Sequence, residues 1–93
     1  MTATVKGKTF PVEWMWLMAN TDVLMFEYAD ARPISQIVAD WENAETIERK
    51  SEAEGDLTYN GYTKIQSVVC RKTGNIDTVQ ITLVKGDADG NGD

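Results

Sequence analysis

The acidic end of the chain carries the residues whose spacing comes nearest to a metal site. In GDADGNGD, residues 86–93, oxygen-bearing side chains alternate as in the first half of a helix–loop–helix calcium loop: Asp87, Asp89, Asn91 and Asp93, with a glycine at Gly92. A complete loop also needs ligands at its ninth and twelfth positions, and the sequence stops at the seventh. We therefore expect no specific metal site here, only weak ion binding by a flexible acidic tail.

The residue types that most enzymes use for proton transfer and covalent catalysis are scarce. The chain has no histidine, which removes the commonest general base and the commonest zinc ligand. Its one cysteine, Cys70, stands beside two valines in a predicted strand, so we expect a buried structural thiol. No phosphate-binding glycine loop or nucleophile motif is present. The sequence therefore predicts a protein without catalytic activity and without a cofactor.

Carboxylates are the remaining candidates for chemistry. Residues 40–56 hold seven acidic and two basic side chains. Because nothing indicates that they are enclosed, we expect a solvated face with ordinary pKa values. An enzyme that uses Glu42, Glu45 and Glu48 is the least favoured of three functional hypotheses.

The charge balance and hydropathy indicate the broad class. The net charge of −6 argues against nonspecific nucleic-acid binding, which needs a surplus of lysine and arginine. No apolar run has the length of about 20 residues that spans a membrane, and no secretory signal is visible. With a single cysteine, a reducing compartment is the simplest location, and we expect no contact with nucleic acid or membrane.

The first third of the chain reads as strands. Lys6 and Gly7 suit a tight hairpin turn, and the segment from Phe10 to Met18 reads as one strand. Its WMWLM stretch is apolar on both sides, which predicts either cover on two sides or a face that receives a partner. The strand in DVLMFEYAD follows and is apolar enough for a central position.

One helix is predicted at residues 33–43. Apolar side chains recur at helical spacing, at Ile34, Ile37, Val38 and Trp41. Pro33 suits the first helical position, and Asn43 is a plausible stop. A helix of about three turns is marginal alone, so we expect it to pack on a sheet.

The second half reads as further strands. Residues in TIERKS form a candidate edge strand with Ile47 pointing inward. Asn60-Gly61 between two tyrosines indicates a two-residue hairpin, followed by a strand at residues 62–71 and a turn at KTGN. In the last strand the alternation predicts an inward side and an outward side, inward at Val79, Ile81 and Leu83, outward at Thr78, Gln80 and Thr82.

Together these elements predict an α+β fold. We expect one curved antiparallel sheet of six to seven strands, barrel-like or roll-like, with the helix packed on it. Residues 1–85 form a single domain, and residues 86–93 form the acidic tail.

The chain resembles small proteins encoded among virion morphogenesis genes of phages and prophages of Gram-positive bacteria. The resemblance lies in the order of elements and in the segments GKTFPVEW, VLMFEYAD, RPISQIVADW, and GYTKIQSV with VQITL. The resemblance covers residues 4–85 and implies a virion or tail-associated role and a compact β-rich fold. It also implies a location in the cytoplasm of a bacterial host or in the virion, with protein partners: a second copy of the chain or another assembly component.

Two further hypotheses concern the aromatic residues. The leading one is a structural or interaction protein whose contact residues lie in and near WMWLM: Trp14, Met15, Trp16, Met18 and Met25. Core packing is the ordinary alternative for such residues. The second hypothesis is a small ligand-binding domain with an apolar cavity between sheet and helix, lined by Trp14, Trp16, Phe26 and Trp41.

Overall fold

The structure, a computed structural model, describes residues 1–86, which form eight strands and one helix. The predicted acidic tail and its weak calcium ligands, Asp87, Asp89, Asn91 and Asp93, lie outside these residues. The elements in chain order are β1 (Thr2–Val5), β2 (Lys8–Pro11), β3 (Trp14–Met18), β4 (Val23–Ala29), α1 (Ile34–Trp41), β5 (Thr46–Lys50), β6 (Leu57–Asn60), β7 (Lys64–Thr73) and β8 (Ile76–Val84).

The strands form two antiparallel sheets of four strands each. The first sheet has the order β2-β1-β5-β6, and the second has the order β3-β4-β8-β7. Consecutive strands pair as four hairpins, and successive hairpins alternate between the sheets. The broad α+β class is therefore confirmed, whereas the single barrel-like or roll-like sheet is wrong.

Two wrong assignments of strands and turns explain why a single sheet was expected. The predicted strand from Phe10 to Met18 is broken: β2 ends at Pro11 in the first sheet, and β3 begins at Trp14 in the second. The predicted Asn60-Gly61 hairpin is also wrong, because β6 pairs with β5 while β7 pairs with β8. Gly61 does have the positive φ of 87° that the turn signal implies, but it lies where the chain crosses between sheets.

A single core holds the two sheets and the helix together. The first sheet contributes Val5 and Ile47, and the second contributes an alternating set from its two central strands, Leu24, Phe26, Tyr28, Val79, Ile81 and Leu83. The predictions that β4 is central and that alternate residues of β8 point inward are confirmed. Thr82 was expected to face solvent, yet it is buried in the middle of the sheet, where it lies opposite Met25 of β4 and Ser67 of β7.

The helix lies where the two sheets meet. The Trp41 ring is 5.2 Å from that of Phe10 in the first sheet and 4.5 Å from that of Phe26 in the second. Of the predicted apolar stripe, Ile37 and Trp41 are buried but Ile34 is 52% exposed, so the stripe is shorter than expected. The helix is confirmed over Ile34–Trp41, inside the predicted residues 33–43.

The predicted edge assignment of β5 changes in the structure. β5 was predicted at an edge, but it lies between β1 and β6, with Ile47 buried as expected. The edges of the second sheet are β3 and β7. Cys70 lies in β7 and is exposed, so the prediction of a buried thiol is wrong: an edge strand leaves this position uncovered. Within residues 1–86, no helix is both long and apolar enough to cross a membrane.

Candidate interaction face

The outer faces of the two sheets differ sharply in chemistry. The outer face of the first sheet consists of small and polar side chains with one proline: Thr2, Thr4, Thr9, Pro11, Thr46, Glu48, Lys50, Thr58 and Asn60. The outer face of the second sheet also carries polar residues, among them Glu27, Arg71, Thr78, Gln80 and Thr82, but it adds two tryptophans and six aliphatic or thioether side chains: Trp14, Trp16, Met18, Val23, Met25, Val69, Ile76 and Val84. We call these two surfaces the polar face and the apolar face.

The register of the second sheet brings the apolar side chains together. Trp16 lies opposite Met25, and Trp14 lies opposite Glu27. The two indole rings stack, with centroids 4.4 Å apart and an angle of 28° between their planes. Trp16 is nevertheless 58% exposed. The stack is therefore an ordered aromatic surface that leaves much of one indole in contact with solvent.

Polar side chains order the middle of the apolar face. The Gln80 side-chain amide donates to Met25 Sδ at 3.0 Å. Its oxygen accepts from Arg71 Nη2, also at 3.0 Å. Val69, opposite Gln80 in the register, is 40% exposed. These contacts restrict the side-chain conformations of Met25 and Arg71 on this face.

Four of the five predicted contact residues lie on the apolar face. Trp14, Trp16, Met18 and Met25 share this side of the sheet. Met15 lies on the opposite side and is 3% exposed, so its assignment to an interface is wrong. The reason is that side chains alternate along a strand, and the apolar character of both sides of WMWLM concealed which one faced the core.

The residues of the predicted ligand cavity do not line a common space. Phe26 and Trp41 are fully buried and pack against each other in the core. Trp14 and Trp16 lie on the other side of the second sheet. A surface hollow of about 630 Å³ near the β5–β6 loop includes none of these four residues. The structure therefore gives no support to the ligand-binding hypothesis.

A charge network beside the helix was missed by the sequence reading. Arg32 bridges two carboxylates: its Nη2 donates to Asp30 at 2.8 Å and to Asp40 at 2.6 Å. Asp40 also accepts from Lys8 Nζ at 2.7 Å, which ties the helix to β2. Asp40 belongs to the run expected to be solvated, yet it is only 5% exposed. Helical spacing alone could have placed it beside the buried Ile37, which lies three residues earlier on the same side of the helix.

These contacts shift the pKa of both carboxyl groups downward. The hydrogen bond from Arg32 is the main reason that the pKa of Asp30 falls below its usual range. For Asp40, burial opposes ionisation, but hydrogen bonds from Lys8 and Arg32 outweigh it and lower the pKa. The network is a structural linkage between β2, the β4–α1 connection and α1.

The other carboxylates of residues 40–56 do not converge. Glu42, Glu45 and Glu48 are exposed. Within residues 1–86, no group of three or more aspartate, glutamate, cysteine or histidine side chains is placed to hold a metal ion. The structure brings the three glutamates of the enzyme hypothesis into no common site.

No protein family, no curated protein and no solved structure was found to match the chain.

Proposed function

We propose that this protein is a non-enzymatic interaction module that binds another protein through its apolar face. The contrast between the two sheets carries the proposal, because both are four-stranded and have one face turned away from the core. Only the second sheet places exposed tryptophan and aliphatic side chains on that face. Tryptophan and methionine are enriched in the centres of protein interfaces.

The stacked tryptophans fit the centre of such an interface. A partner that covers Trp16 would remove its exposed indole surface from water, and the ring is already held by Trp14. Burial of a large, preordered side chain stabilises a complex with little loss of side-chain entropy. The resemblance to virion morphogenesis proteins points to another component of a phage or prophage assembly as the partner.

A charge introduced on each outer face tests the proposal. Binding to proteins encoded by neighbouring genes is measured by isothermal titration calorimetry. Binding to a second copy of the chain is measured by sedimentation across a concentration series. Trp16→Lys should weaken the complex at least about tenfold, since loss of a central tryptophan costs about 2 kcal/mol or more. Thr58→Lys, on the polar face, is the matched control and should bind as the wild type does.

The proposal fails if the protein stays monomeric at millimolar concentration and binds none of these proteins. It also fails if Thr58→Lys weakens the complex as much as Trp16→Lys. Circular dichroism of both variants ensures that the comparison is made between folded proteins.

A further inference from the structure

A groove of about 340 Å³ lies at one end of the apolar face. The β3 side contributes Glu13 and Trp14, β4 contributes Glu27 and Ala29, and the β7–β8 hairpin contributes Thr73, Ile76 and Thr78. The groove therefore combines an aromatic ring, aliphatic side chains and two carboxylates. Its volume is sufficient for one long side chain together with part of the backbone that carries it.

The walls of the groove are apolar and ordered. Trp16 stacks against the Trp14 indole, and Trp14 is also one of the residues that line the groove. Ile76 is 58% exposed at the β7–β8 end of the groove. A planar or cationic group can lie against an indole face, and aliphatic surface can pack along the hydrocarbon part of a long side chain.

The two carboxylates give the groove a negative charge that its surroundings leave unbalanced. The backbone N–H of Glu13 donates to the carbonyl of Glu27 at 2.8 Å, which holds these residues side by side. Among residues 1–86, neither carboxylate has a lysine or arginine nitrogen within 4.0 Å. Arg71, a cation of the same face, donates to Gln80 instead.

A third polar group at the groove lacks a partner. Thr78 Oγ1 is buried and makes no hydrogen bond within the described part of the chain. A buried hydroxyl without a partner is costly, at about 1–3 kcal/mol. Thr78 therefore adds a polar residue to the lining of the groove, although its hydroxyl oxygen is closed to solvent.

The geometry points to an arginine side chain of the partner protein as the occupant of this groove. The guanidinium group is planar, stacks on an indole face and donates to carboxylates through several N–H groups. The inference rests on the proposed function, because it names the chemistry that the apolar face recognises: an extended segment with an arginine between apolar residues. Leucine-sized neighbours of that arginine would contact the aliphatic part of the same face.

The probe for the test is the synthetic peptide acetyl-Leu-Arg-Leu-amide, titrated into the 15N-labelled protein and followed by NMR. We expect saturable shifts of the Trp14 indole N–H and of the Glu13, Glu27 and Ile76 amides. The same peptide with citrulline in place of arginine keeps the shape but lacks the charge. It should bind at least about fivefold more weakly, in line with a partly exposed cation–π contact and ion pair.

Variants that neutralise one carboxylate at a time show whether the arginine peptide binds in the groove. Glu13→Gln and Glu27→Gln should each weaken binding of the arginine peptide and leave binding of the citrulline peptide unchanged. Glu48→Gln, on the polar face, is the control and should change neither. The inference is overturned if the arginine peptide gives no saturable shifts, if both peptides bind equally, or if the two groove variants bind the arginine peptide as the wild type does.

Failure of this inference can be told apart from failure of the proposed function. If Trp16→Lys weakens a partner complex but Glu13→Gln and Glu27→Gln do not, binding through the apolar face stands and recognition of an arginine is wrong. If Trp16→Lys does not weaken the complex, both the proposed function and this inference are wrong.

Discussion

The hydrogen bond from Trp41 Nε1 to the Tyr28 hydroxyl, 2.8 Å long, lies inside the core between two fully buried rings. Tyr28→Phe keeps the ring but leaves the indole N–H without its acceptor. We expect a loss of about 1–3 kcal/mol in the free energy of unfolding, the usual cost of a buried donor left unpaired. Urea denaturation followed by tryptophan fluorescence measures this loss.

Tyr59→Phe is the matched control for that hydrogen bond. The Tyr59 hydroxyl accepts from Arg49 at 3.1 Å, and Arg49 also donates to the carbonyl of Glu54. Because Arg49 keeps another partner, the loss should be smaller than for Tyr28→Phe. Equal stability of Tyr28→Phe and the wild type would contradict the assigned role of this bond.

The network around Arg32 predicts how stability changes with pH. The pKa values of Asp30 and Asp40 are lower in the folded protein than in the unfolded chain, where the ordinary value is 3.8. Their contribution to stability is therefore fully present above this value, and it is lost as the pH falls through the lowered values of the folded state. Thermal unfolding between pH 7 and pH 2 should show this loss in the acid range.

Asp40→Asn separates this effect from general acid denaturation. At pH 7 the variant should be less stable than the wild type by roughly 2 kcal/mol, the scale of a hydrogen bond to a charged group. The difference should shrink as the pH falls through the lowered pKa of the folded state, because the wild-type carboxyl then loses its charge. Glu48→Gln, at an exposed position, should follow the wild type; a constant difference between Asp40→Asn and the wild type at all pH values would refute the assignment.

At the scale of elements, the β3–β4 turn contains three successive residues with left-handed backbone angles. Ala19, Asn20 and Thr21 have φ values of 54°, 57° and 70°. A β-branched residue is poorly suited to this region, at a cost of roughly 1–2 kcal/mol. We therefore expect Thr21→Gly to raise the free energy of unfolding by about 1 kcal/mol, after the added freedom of the unfolded chain is taken into account.

Asn20→Gly is the control for that turn, because asparagine tolerates left-handed angles better than threonine does. Its gain should be smaller than that of Thr21→Gly. Chemical denaturation of the two variants gives the comparison. A destabilised Thr21→Gly protein with an intact fold would show that the threonine side chain contributes more than its backbone costs.

The elements themselves were largely predictable, whereas their assignment to sheets was not. Periodicity identified α1, the central position of β4 and the inward side of β8, because each depends on neighbours within one segment. Sheet membership depends on the pairs β1–β5 and β4–β8, which join residues far apart in sequence. A local turn signal such as Asn60-Gly61 indicates a bend but does not say which strand follows it.

The same limit applies to the candidate site. The residue types of WMWLM were sufficient to indicate a contact surface, and Trp14 and Trp16 do lie on an outer face. Nothing local distinguished their side of the strand from that of Met15. The groove beside them combines the β3–β4 hairpin with the β7–β8 hairpin, so it exists only after strands far apart in sequence have paired.

At the scale of the whole molecule, the strand order has an internal symmetry. Each strand of the first half, residues 2–29, can be exchanged with the strand four places later in the second half, residues 46–84. After this exchange the order β2-β1-β5-β6 becomes β6-β5-β1-β2, which is the same sheet seen from its other edge. The order β3-β4-β8-β7 behaves in the same way. The two central pairs, β1–β5 and β4–β8, are antiparallel, as a two-fold relation requires. Each half therefore supplies half of both sheets.

This arrangement predicts that neither half is stable alone. Separation of residues 1–43 from residues 44–93 would expose Val5 and Leu24 on one fragment and Ile47 and Leu83 on the other, all fully or almost fully buried in the intact protein. Each fragment would retain only two-stranded hairpins, which are marginal in water. We expect each fragment to be unfolded by circular dichroism and NMR, and an equimolar mixture to recover the dispersed spectrum of the intact chain.

Reassembly of the fragments should depend on the central pairs. Leu24, in β4, lies opposite Leu83, in β8, and both are buried. Leu24→Glu in the first fragment places a charge at this junction and should abolish complementation, whereas Thr9→Ser in the exposed edge strand β2 should preserve it. Because each half contributes strands to both sheets, the core can close only when both halves are present. Cooperative unfolding of either fragment by itself would show that one half holds a core of its own, which the alternation of hairpins between the sheets does not allow.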